Sequence, residues 1–364
     1  MRILVMANND VGLYKFRKEL LAALLEKGHE VYISLPSGEL VKPLEEMGCR
    51  FVDTPIDRRG INPVTDLKLF FRYLGMIRRV KPDQIITYTI KPNIYGALAA
   101  RMLRVPYAVN ITGLGTAFQH DGLLQKMVIC LYKVSMKAAH VSYYENAENR
   151  DVFVQKGIVP EERTCLLHGA GVNLEEYRFV DYPAEKQVTR LLFMGRVMKE
   201  KGIDELMDAV AQLKREQLPV HLDVIGPCEE EAYKQRLNTL QQEGVLTYHG
   251  YQKDVKPFIQ RAHCFVLPSY HEGMANTLLE SAAMGRPLIT SDIHGCKEAV
   301  DGDRNGLLCQ PGNTEELTEK IRTFVSYPYE KKAEMGRASR AHMEAVFDKK
   351  KVVAETLSRL PLQP

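Results

Sequence analysis

Short apolar runs alternate with longer stretches of helical spacing through residues 1–178. Runs such as residues 3–7 and 84–89 have the length of buried strands. Between them, stretches such as residues 13–27 and 63–80 carry apolar residues three and four positions apart, which is typical of helices. Strand and helix signals that alternate with short connections predict an α/β fold with a doubly wound parallel sheet.

A second alternation of the same kind begins at residue 190. Its strand signals lie at residues 190–194, 220–225, 245–249, 264–267, 287–290 and 306–309. Residues 179–189 are polar, contain a proline and lack periodicity, so we predict the linker between two domains there. We expect ligands to bind in a cleft between the domains, at the carboxyl ends of the strands.

The predicted organisation therefore has four parts. These are a first Rossmann-like domain at 1–178, the linker at 179–189, a second Rossmann-like domain at 190–345 and a C-terminal helix at 346–364. We expect the first domain to bind the acceptor, the second to bind a nucleotide sugar, and the last helix to pack back on the first domain.

Composition is that of an ordinary soluble protein, with 364 residues, 45% hydrophobic and 26% charged. The seven cysteines are scattered, without a C-x-x-C pair, which indicates reduced thiols rather than a disulfide framework or a zinc site. The first residues are typical of a buried strand and not of a signal peptide, and no apolar run reaches the roughly 20 residues that span a bilayer. We therefore expect a cytoplasmic protein.

The net charge of +3 is unevenly distributed. Residues 1–180 hold 24 Lys and Arg against 19 Asp and Glu, or +5, and the remainder holds 25 against 27, or −2. This excess is too small to predict nucleic acid as a partner. It favours an anionic surface or an anionic acceptor.

One bend combines a strand, a glycine-containing loop and a helix. The strand ends at Pro268, the loop holds Gly273, and helical spacing begins at Thr277. The first amides of such a helix lack intrahelical partners and attract anions. Glu272 and Glu280 frame the bend, and carboxylates beside a phosphate site would accept hydrogen bonds from sugar hydroxyls. The alternatives are a solvated loop carboxylate and a Thr277-x-x-Glu280 capping box.

Two cations lie near the same sheet edge. Arg196 follows the strand at 190–194, and Lys201-Gly202 precedes the next helix. Because the carboxyl ends of parallel strands share one edge, we expect both cations near the bend at Glu272. A guanidinium fork and a mobile ammonium together suit a diphosphate, whereas either cation alone would more simply be a solvated surface residue.

Gly195-Arg196-x4-Lys201-Gly202 followed by Glu272-x7-Glu280 resembles the signature of the retaining glycosyltransferases of family four. The resemblance covers the whole second domain and is weaker in the first. It implies the GT-B fold, in which two Rossmann-like domains face each other across a cleft. Thr112-Gly113-Leu114-Gly115 and Asp292-x-x-Gly295-Cys296-x-Glu298 resemble members that add hexoses or N-acetylhexosamines to lipid-linked intermediates of capsules, O-antigens or N-glycans.

The resemblance also implies roles for individual residues. Arg196 and Lys201 would hold the diphosphate of a UDP-sugar and stabilise the charge on the leaving group. Glu272 would accept from a hydroxyl of the transferred sugar, and Glu280 from the ribose. Further contacts to the sugar donor are implied for Gly12, Gly195, Gly273, the amides around Met274, Ala275, Asn276 and Thr277, and the base-reading segment at Tyr251. No cofactor or metal is expected, since Asp-x-Asp does not follow a convincing strand.

The acceptor side is less clear from the sequence. Many family members carry a histidine after the strand that ends here at Ile111, but this chain has Thr112-Gly113. His120 is a candidate replacement, and its alternative is a solvent-facing loop histidine. We expect the acceptor to be a sugar on a polyprenyl diphosphate, or another oligosaccharide.

Two helices of the first domain mix cations with apolar residues. The cations are Lys68, Arg72, Arg78, Arg79 and Lys81 in the first helix and Lys126, Lys133 and Lys137 in the second. Basic amphipathic helices bind anionic membrane faces, so we predict peripheral contact with the inner face of the plasma membrane. The alternative is an ordinary helix that packs on its own sheet with a charged outer side.

The sequence thus predicts a metal-independent, retaining glycosyltransferase. A nucleotide-sugar epimerase of the same fold is the first alternative, but it would need acid and base groups on both sides of the sugar, and we find no such set. A binding protein without catalytic activity is the second. A dinucleotide-dependent oxidoreductase is disfavoured, because no G-x-G-x-x-G follows a strand.

Overall fold

A computed structural model describes residues 1–57, 62–114, 118, 122–185 and 187–362. The chain forms two compact units, and each has its own parallel sheet. The first unit comprises Met1–Ala170 and Lys349–Pro364, and the second comprises Gly171–Asp348. The predicted fold class, two doubly wound α/β sheets, is confirmed.

The first unit contains a seven-stranded sheet in the order β3-β2-β1-β4-β5-β6-β7. Its strands are β1 (Arg2–Met6), β2 (Glu30–Leu35), β3 (Arg50–Asp53), β4 (Gln84–Tyr88), β5 (Tyr107–Ile111), β6 (Val141–Tyr144) and β7 (Thr164–Leu166). Its helices are α1 (Asp10–Glu26), α2 (Val41–Glu46), α3 (Pro63–Val80), α4 (Ala97–Met102), α5 (Leu123–Met136) and α6 (Ala147–Gln155).

Strand β1 illustrates why the central strands read as unbroken apolar runs. Ile3 and Val5 face one helical layer, while Leu4 and Met6 face the other, so both sides of the strand are buried. Helices α3, α4, α5 and α6 supply the layer on the side of Leu4. Helices α1 and α2 supply the opposite layer.

The second unit contains a six-stranded sheet in the order β10-β9-β8-β11-β12-β13. Its strands are β8 (Thr189–Met194), β9 (Val220–Ile225), β10 (Leu246–Tyr248), β11 (Cys264–Leu267), β12 (Leu288–Ser291) and β13 (Gly306–Cys309). Its helices are α7 (Ile203–Arg215), α8 (Glu231–Gln242), α9 (Lys256–Arg261), α10 (Asn276–Ala283), α11 (Thr314–Ser326) and α12 (Tyr329–His342). One continuous apolar core fills this unit.

The last helix, α13 (Lys349–Ser358), belongs to the first unit. The Tyr143 hydroxyl donates to the carbonyl of Thr356 at 2.7 Å, and Lys349 Nζ donates to the carbonyl of Phe16 at 3.1 Å. Val352 joins the core formed with α1 and α2. The helix therefore completes the layer opposite α3 and α5.

Residues 171–189 lie in the second unit, and the division falls earlier in the chain than the predicted linker. The main chain of this polar stretch is anchored there, because Val172 N–H donates to the carbonyl of Phe347 at 2.8 Å. The fully buried guanidinium of Arg286 donates to the carbonyls of Val180 and Asp181. Such anchoring uses backbone groups, which leave no signal in the side-chain pattern.

Candidate active site

The site lies at the carboxyl ends of two neighbouring strands of the second unit, β8 and β11. After β11 the chain forms a bend at residues 268–275 and enters α10. After β8 it passes through Gly195-Arg196 and a short 3₁₀ turn at Lys199–Lys201 before α7 begins. Parallel topology thus brings the two charged motifs of the sequence to one edge.

Lys201 and Glu272, which are 71 residues apart, form a partly buried ion pair. Lys201 Nζ lies 2.5 Å from Glu272 Oε1, and the two side chains are 20% and 12% exposed. The hydroxyl of Ser269 donates to the same carboxylate oxygen at 2.8 Å. The expected diphosphate cation and the expected sugar-binding carboxylate are therefore held in one contact.

Gly202 allows the 3₁₀ turn to reach the bend. Its φ of +67° is left-handed, and a Cβ atom there would lie 2.0 Å from the carbonyl oxygen of Pro268. The amide of Tyr270 donates to the carbonyl of Glu200 at 2.9 Å, so the two segments are joined backbone to backbone. The Tyr270 hydroxyl also donates to Glu205 Oε1 at 2.5 Å, which ties the bend to α7.

A loop after β12 supports the bend from its other side. The Ala275 amide donates to the carbonyl of Gly295 at 2.8 Å. A Cβ atom on Gly295 would lie 2.7 Å from the carbonyl oxygen of Glu272. Burial, and then the charge of Glu272, raise the pKa of the Cys296 thiol, which therefore stays neutral beside the carboxylate.

The start of α10 differs from the predicted capping box. The helix begins at Asn276 with Ala275 as its N-cap, and no side chain caps it. Thr277 thus lies inside the first turn, two positions too late to act as the capping residue, so the capping-box alternative is wrong. Glu280 instead receives a hydrogen bond from the Tyr177 phenol, and burial followed by this carboxylate raises the pKa of Tyr177.

The other predicted contact residues of the second unit lie near this edge. Arg196 is exposed directly after β8, and Gly195 N–H bonds to the carbonyl of Ile225 at 2.9 Å. Tyr251 is exposed beyond β10. Gly273 and Met274 lie in the bend. We expected the amide of Ala275 to contact the sugar donor, but it donates to the carbonyl of Gly295 instead.

Sequence reasoning missed several side chains that build the site. Ser269 lies within the Pro268-Ser269-x-x-Glu272 motif and could have been found from its spacing. The bond from Tyr270 to Glu205 had no signal, since 65 residues separate the two.

In the first unit, we expected Gly12 in a loop, but it lies in the first turn of α1. Asn9 caps this helix, and its Oδ1 accepts from the Gly12 amide at 2.5 Å. The asparagine cap moves the helix start three residues before the predicted one. Thr112 and Gly113 follow β5, and His120 lies outside the described residues.

The first unit also holds a partly buried ion pair at its own sheet edge. Lys91, which follows β4, lies 2.7 Å from Asp66 Oδ1, and the side chains are 13% and 12% exposed. The hydroxyl of Tyr95 donates to the other oxygen of Asp66 at 3.0 Å. Asp66 itself projects from the buried side of α3.

Within the part of the chain that the structure describes, no helix is long and apolar enough to cross a membrane. Across the same residues, we find no cluster of three His, Cys, Asp or Glu side chains arranged as metal ligands. All seven cysteines are free thiols.

This site on this fold is that of a glycosyltransferase. Residues 188–326 match the family described as glycosyl transferases group 1, and residues 12–170 match the glycosyl transferase 4-like domain. The two matches fall on the two units, and the chain belongs to this family of glycosyltransferases, which have the GT-B fold.

Among its relatives is the N,N'-diacetylbacillosaminyl-diphospho-undecaprenol alpha-1,3-N-acetylgalactosaminyltransferase of Campylobacter jejuni. It is 27% identical over 99% of this chain and 98% of its own length. The capsular polysaccharide biosynthesis glycosyltransferase CapM of Staphylococcus aureus is 22% identical over 89% and 87%. Among solved structures, Anabaena Alr3699/HepE with UDP and glucose shares the fold, with a TM-score of 0.79, 19% identity and coverage of 99% and 100%.

Proposed function

We propose that this glycosyltransferase moves a hexose or N-acetylhexosamine from a UDP-sugar, with retention, to a sugar on a polyprenyl diphosphate. The observation that carries the proposal is the contact between Lys201 and Glu272 beside the start of α10. The Campylobacter relative is named for a sugar linked to diphospho-undecaprenol, and the Anabaena structures hold UDP and UDP-glucose. Surface polysaccharide or glycan synthesis is the corresponding process.

Charge explains how these residues would act. When the bond between the sugar and the diphosphate breaks, negative charge develops on the leaving UDP. Lys201 is held in place by Glu272, whose carboxylate also accepts from Ser269. It would stabilise that charge together with the exposed guanidinium of Arg196. Because its position is set before the sugar donor binds, little reorganisation is needed.

Glu272 has a second task in this proposal. Its carboxylate already accepts from Lys201 and from the hydroxyl of Ser269, and these two contacts hold it in place. It would accept a hydrogen bond from a hydroxyl of the transferred sugar, while Glu280 in α10 accepts from the ribose. The acceptor's hydroxyl oxygen forms the new bond to the sugar, and its proton leaves with UDP. No metal or cofactor is included.

A panel of UDP- and GDP-sugars tests this function. We expect slow release of UDP from one UDP-sugar without acceptor, in the presence of EDTA, and faster release with a polyprenyl-diphosphate sugar. Release from GDP-sugars alone, or only after metal is added, would contradict the proposal. Conversion of one UDP-sugar into another without UDP release would favour the epimerase alternative.

We also propose that the first unit contacts an anionic membrane. Helices α3 and α5 flank α4 in one layer on the same side of the sheet. Their outer surfaces expose Val64, Leu67, Phe71, Leu123, Met127 and Val134. Helix α5 contains no acidic residue, and the one acid of α3 is the buried Asp66. Apolar side chains among unopposed cations suit the headgroup region of an anionic bilayer.

Vesicle flotation tests this surface. The double variant Phe71→Ser and Leu123→Ser should bind vesicles with anionic lipid at low salt at least about tenfold more weakly, since each replacement removes buried apolar area. Val11→Ser is the matched control, because Val11 is also exposed but lies on α1 in the opposite layer. Wild-type protein that fails to float with anionic vesicles at low salt would exclude the membrane contact.

A further inference from the structure

The loop at residues 292–299 is not used in the proposed reaction, although it lies against the bend. It begins directly after β12 and ends in a 3₁₀ turn at Lys297–Ala299. Within it, Glu298 Oε2 accepts from the Gly295 amide at 2.7 Å, and Glu298 Oε1 lies 2.8 Å from His294 Nδ1. One carboxylate therefore holds both the main chain and a side chain of the loop.

Gly295 transmits this restraint to the bend. A Cβ atom on it would lie 2.7 Å from the carbonyl oxygen of Glu272 and 2.8 Å from that of Gly273. Its own carbonyl accepts from the Ala275 amide at 2.8 Å, where α10 begins. The main chain from Glu272 to Ala275 thus rests on the one residue whose amide Glu298 holds.

The main chain of Glu298 is itself bonded to α12. Its carbonyl oxygen lies 2.9 Å from Nε2 of His342 in α12, and Ala299 next to it is fully buried. By contrast, the side chains of His294 and Glu298 are 34% and 29% exposed. The carboxylate is therefore not part of the core, and its removal would loosen the loop without opening a cavity in the unit.

We propose that Glu298 is a positioning residue for transfer, which acts through Gly295 to keep the backbone of Glu272 in place. The proposal rests on the proposed function for what Glu272 binds. A loop that shifts by a fraction of an ångström would move the carboxylate relative to the sugar, and such misplacement lowers turnover more than it lowers binding. The ribose and the base are contacted elsewhere, so affinity for UDP alone should change little.

Amide hydrogen exchange tests the contact without any ligand. In Glu298→Ala, the peptide that spans residues 270–281 should exchange at least about fivefold faster, because the Ala275 amide loses its fixed acceptor. Glu316→Ala is the matched control, since Glu316 Oε2 accepts from the Gln310 amide at 3.0 Å, the same kind of bond, elsewhere in the unit. Unchanged exchange in Glu298→Ala would overturn the proposal whatever the enzyme transfers.

Kinetics test the positioning role. For Glu298→Ala we expect turnover to fall about tenfold while the Kd for UDP changes less than about twofold. Glu298→Gln keeps one acceptor oxygen and should recover part of the loss. In the background of Glu272→Gln, the Glu298→Ala change should add little further loss, because both act through one group.

The outcomes separate the two proposals. Additive losses in the double variant, or an equal fall in affinity for UDP and UDP-sugar, would overturn the positioning role. If the wild-type enzyme releases UDP from no sugar in the panel, the proposed function fails, and hydrogen exchange still decides whether Glu298 holds the bend.

Discussion

Each unit carries a partly buried pair between a lysine and a carboxylate near the carboxyl end of its sheet. Lys91 and Asp66 are 2.7 Å apart in the first unit, and Lys201 and Glu272 are 2.5 Å apart in the second. Burial is also similar, with exposed fractions of 13% and 12% against 20% and 12%. Distance and burial thus do not distinguish the two pairs.

The elements that carry the partners do distinguish them. Asp66 lies on the buried side of α3 and also accepts from Tyr95, so this pair ties α3 to the start of the helical segment after β4. Glu272 lies in a bend, and Lys201 lies in a turn that touches the bend through Gly202. We infer that the first pair stabilises its unit and the second serves the reaction.

The largest effect should come from Lys91→Ala. The carboxylate of Asp66 would remain buried without its cation, which typically costs about 3–5 kcal/mol of unfolding free energy. Urea unfolding followed by circular dichroism measures the loss, and the Kd for UDP should stay within about twofold. A loss of stability below about 1 kcal/mol would remove the distinction between the pairs.

Lys201→Ala should act on turnover instead. Removal of one group that stabilises transition-state charge typically lowers kcat about 100- to 1,000-fold, and binding of the UDP-sugar should weaken far less. Stability should fall less than in Lys91→Ala, since Glu272 lies in a bend and is only partly buried, whereas Asp66 lies on the buried side of α3. Lys199→Ala is the control, because Lys199 is exposed in the same turn. Unchanged turnover would remove Lys201 from the mechanism.

Gly202→Ala and Gly28→Ala test whether the turn at Lys201 must approach the bend closely for turnover. Both glycines are left-handed, with φ of +67° and +78°, so either alanine costs about 1–2 kcal/mol. Nothing lies within 4 Å of a Cβ atom at Gly28, whereas the Pro268 carbonyl is 2.0 Å away at Gly202. Only Gly202→Ala should therefore lower turnover as well as stability. Equal stability losses with unchanged turnover would mean that the turn need not reach the bend.

The smallest effects should come from the second hydrogen bond to each carboxylate. Ser269→Ala removes one bond to Glu272, and Tyr95→Phe removes one bond to Asp66. Each bond contributes about 1 kcal/mol. We expect roughly fivefold slower turnover in the first variant, and in the second a loss of stability measured by thermal unfolding. If Ser269→Ala lost only stability, the Glu272 pair would resemble the Asp66 pair.

Much of the fold followed from the periodicity of the sequence. Central strands such as β1 are buried on both sides, so they appear as continuous apolar runs between helices. The start of α1 was missed because its cap is Asn9, four residues before the predicted start. The linker was placed too late because the chain from Val172 onward is held by backbone bonds.

The sequence by itself determined the order of strands and helices, and through parallel topology the edge at which Arg196, Lys201 and Glu272 would lie. Tertiary structure alone decided which charges pair and which amides are occupied, as with Ala275 and Gly295. The reason is physical: periodicity reports which face of an element is buried. Contacts between loops 20 or 70 residues apart depend on a few tenths of an ångström of backbone approach, which glycines such as Gly202 and Gly295 permit.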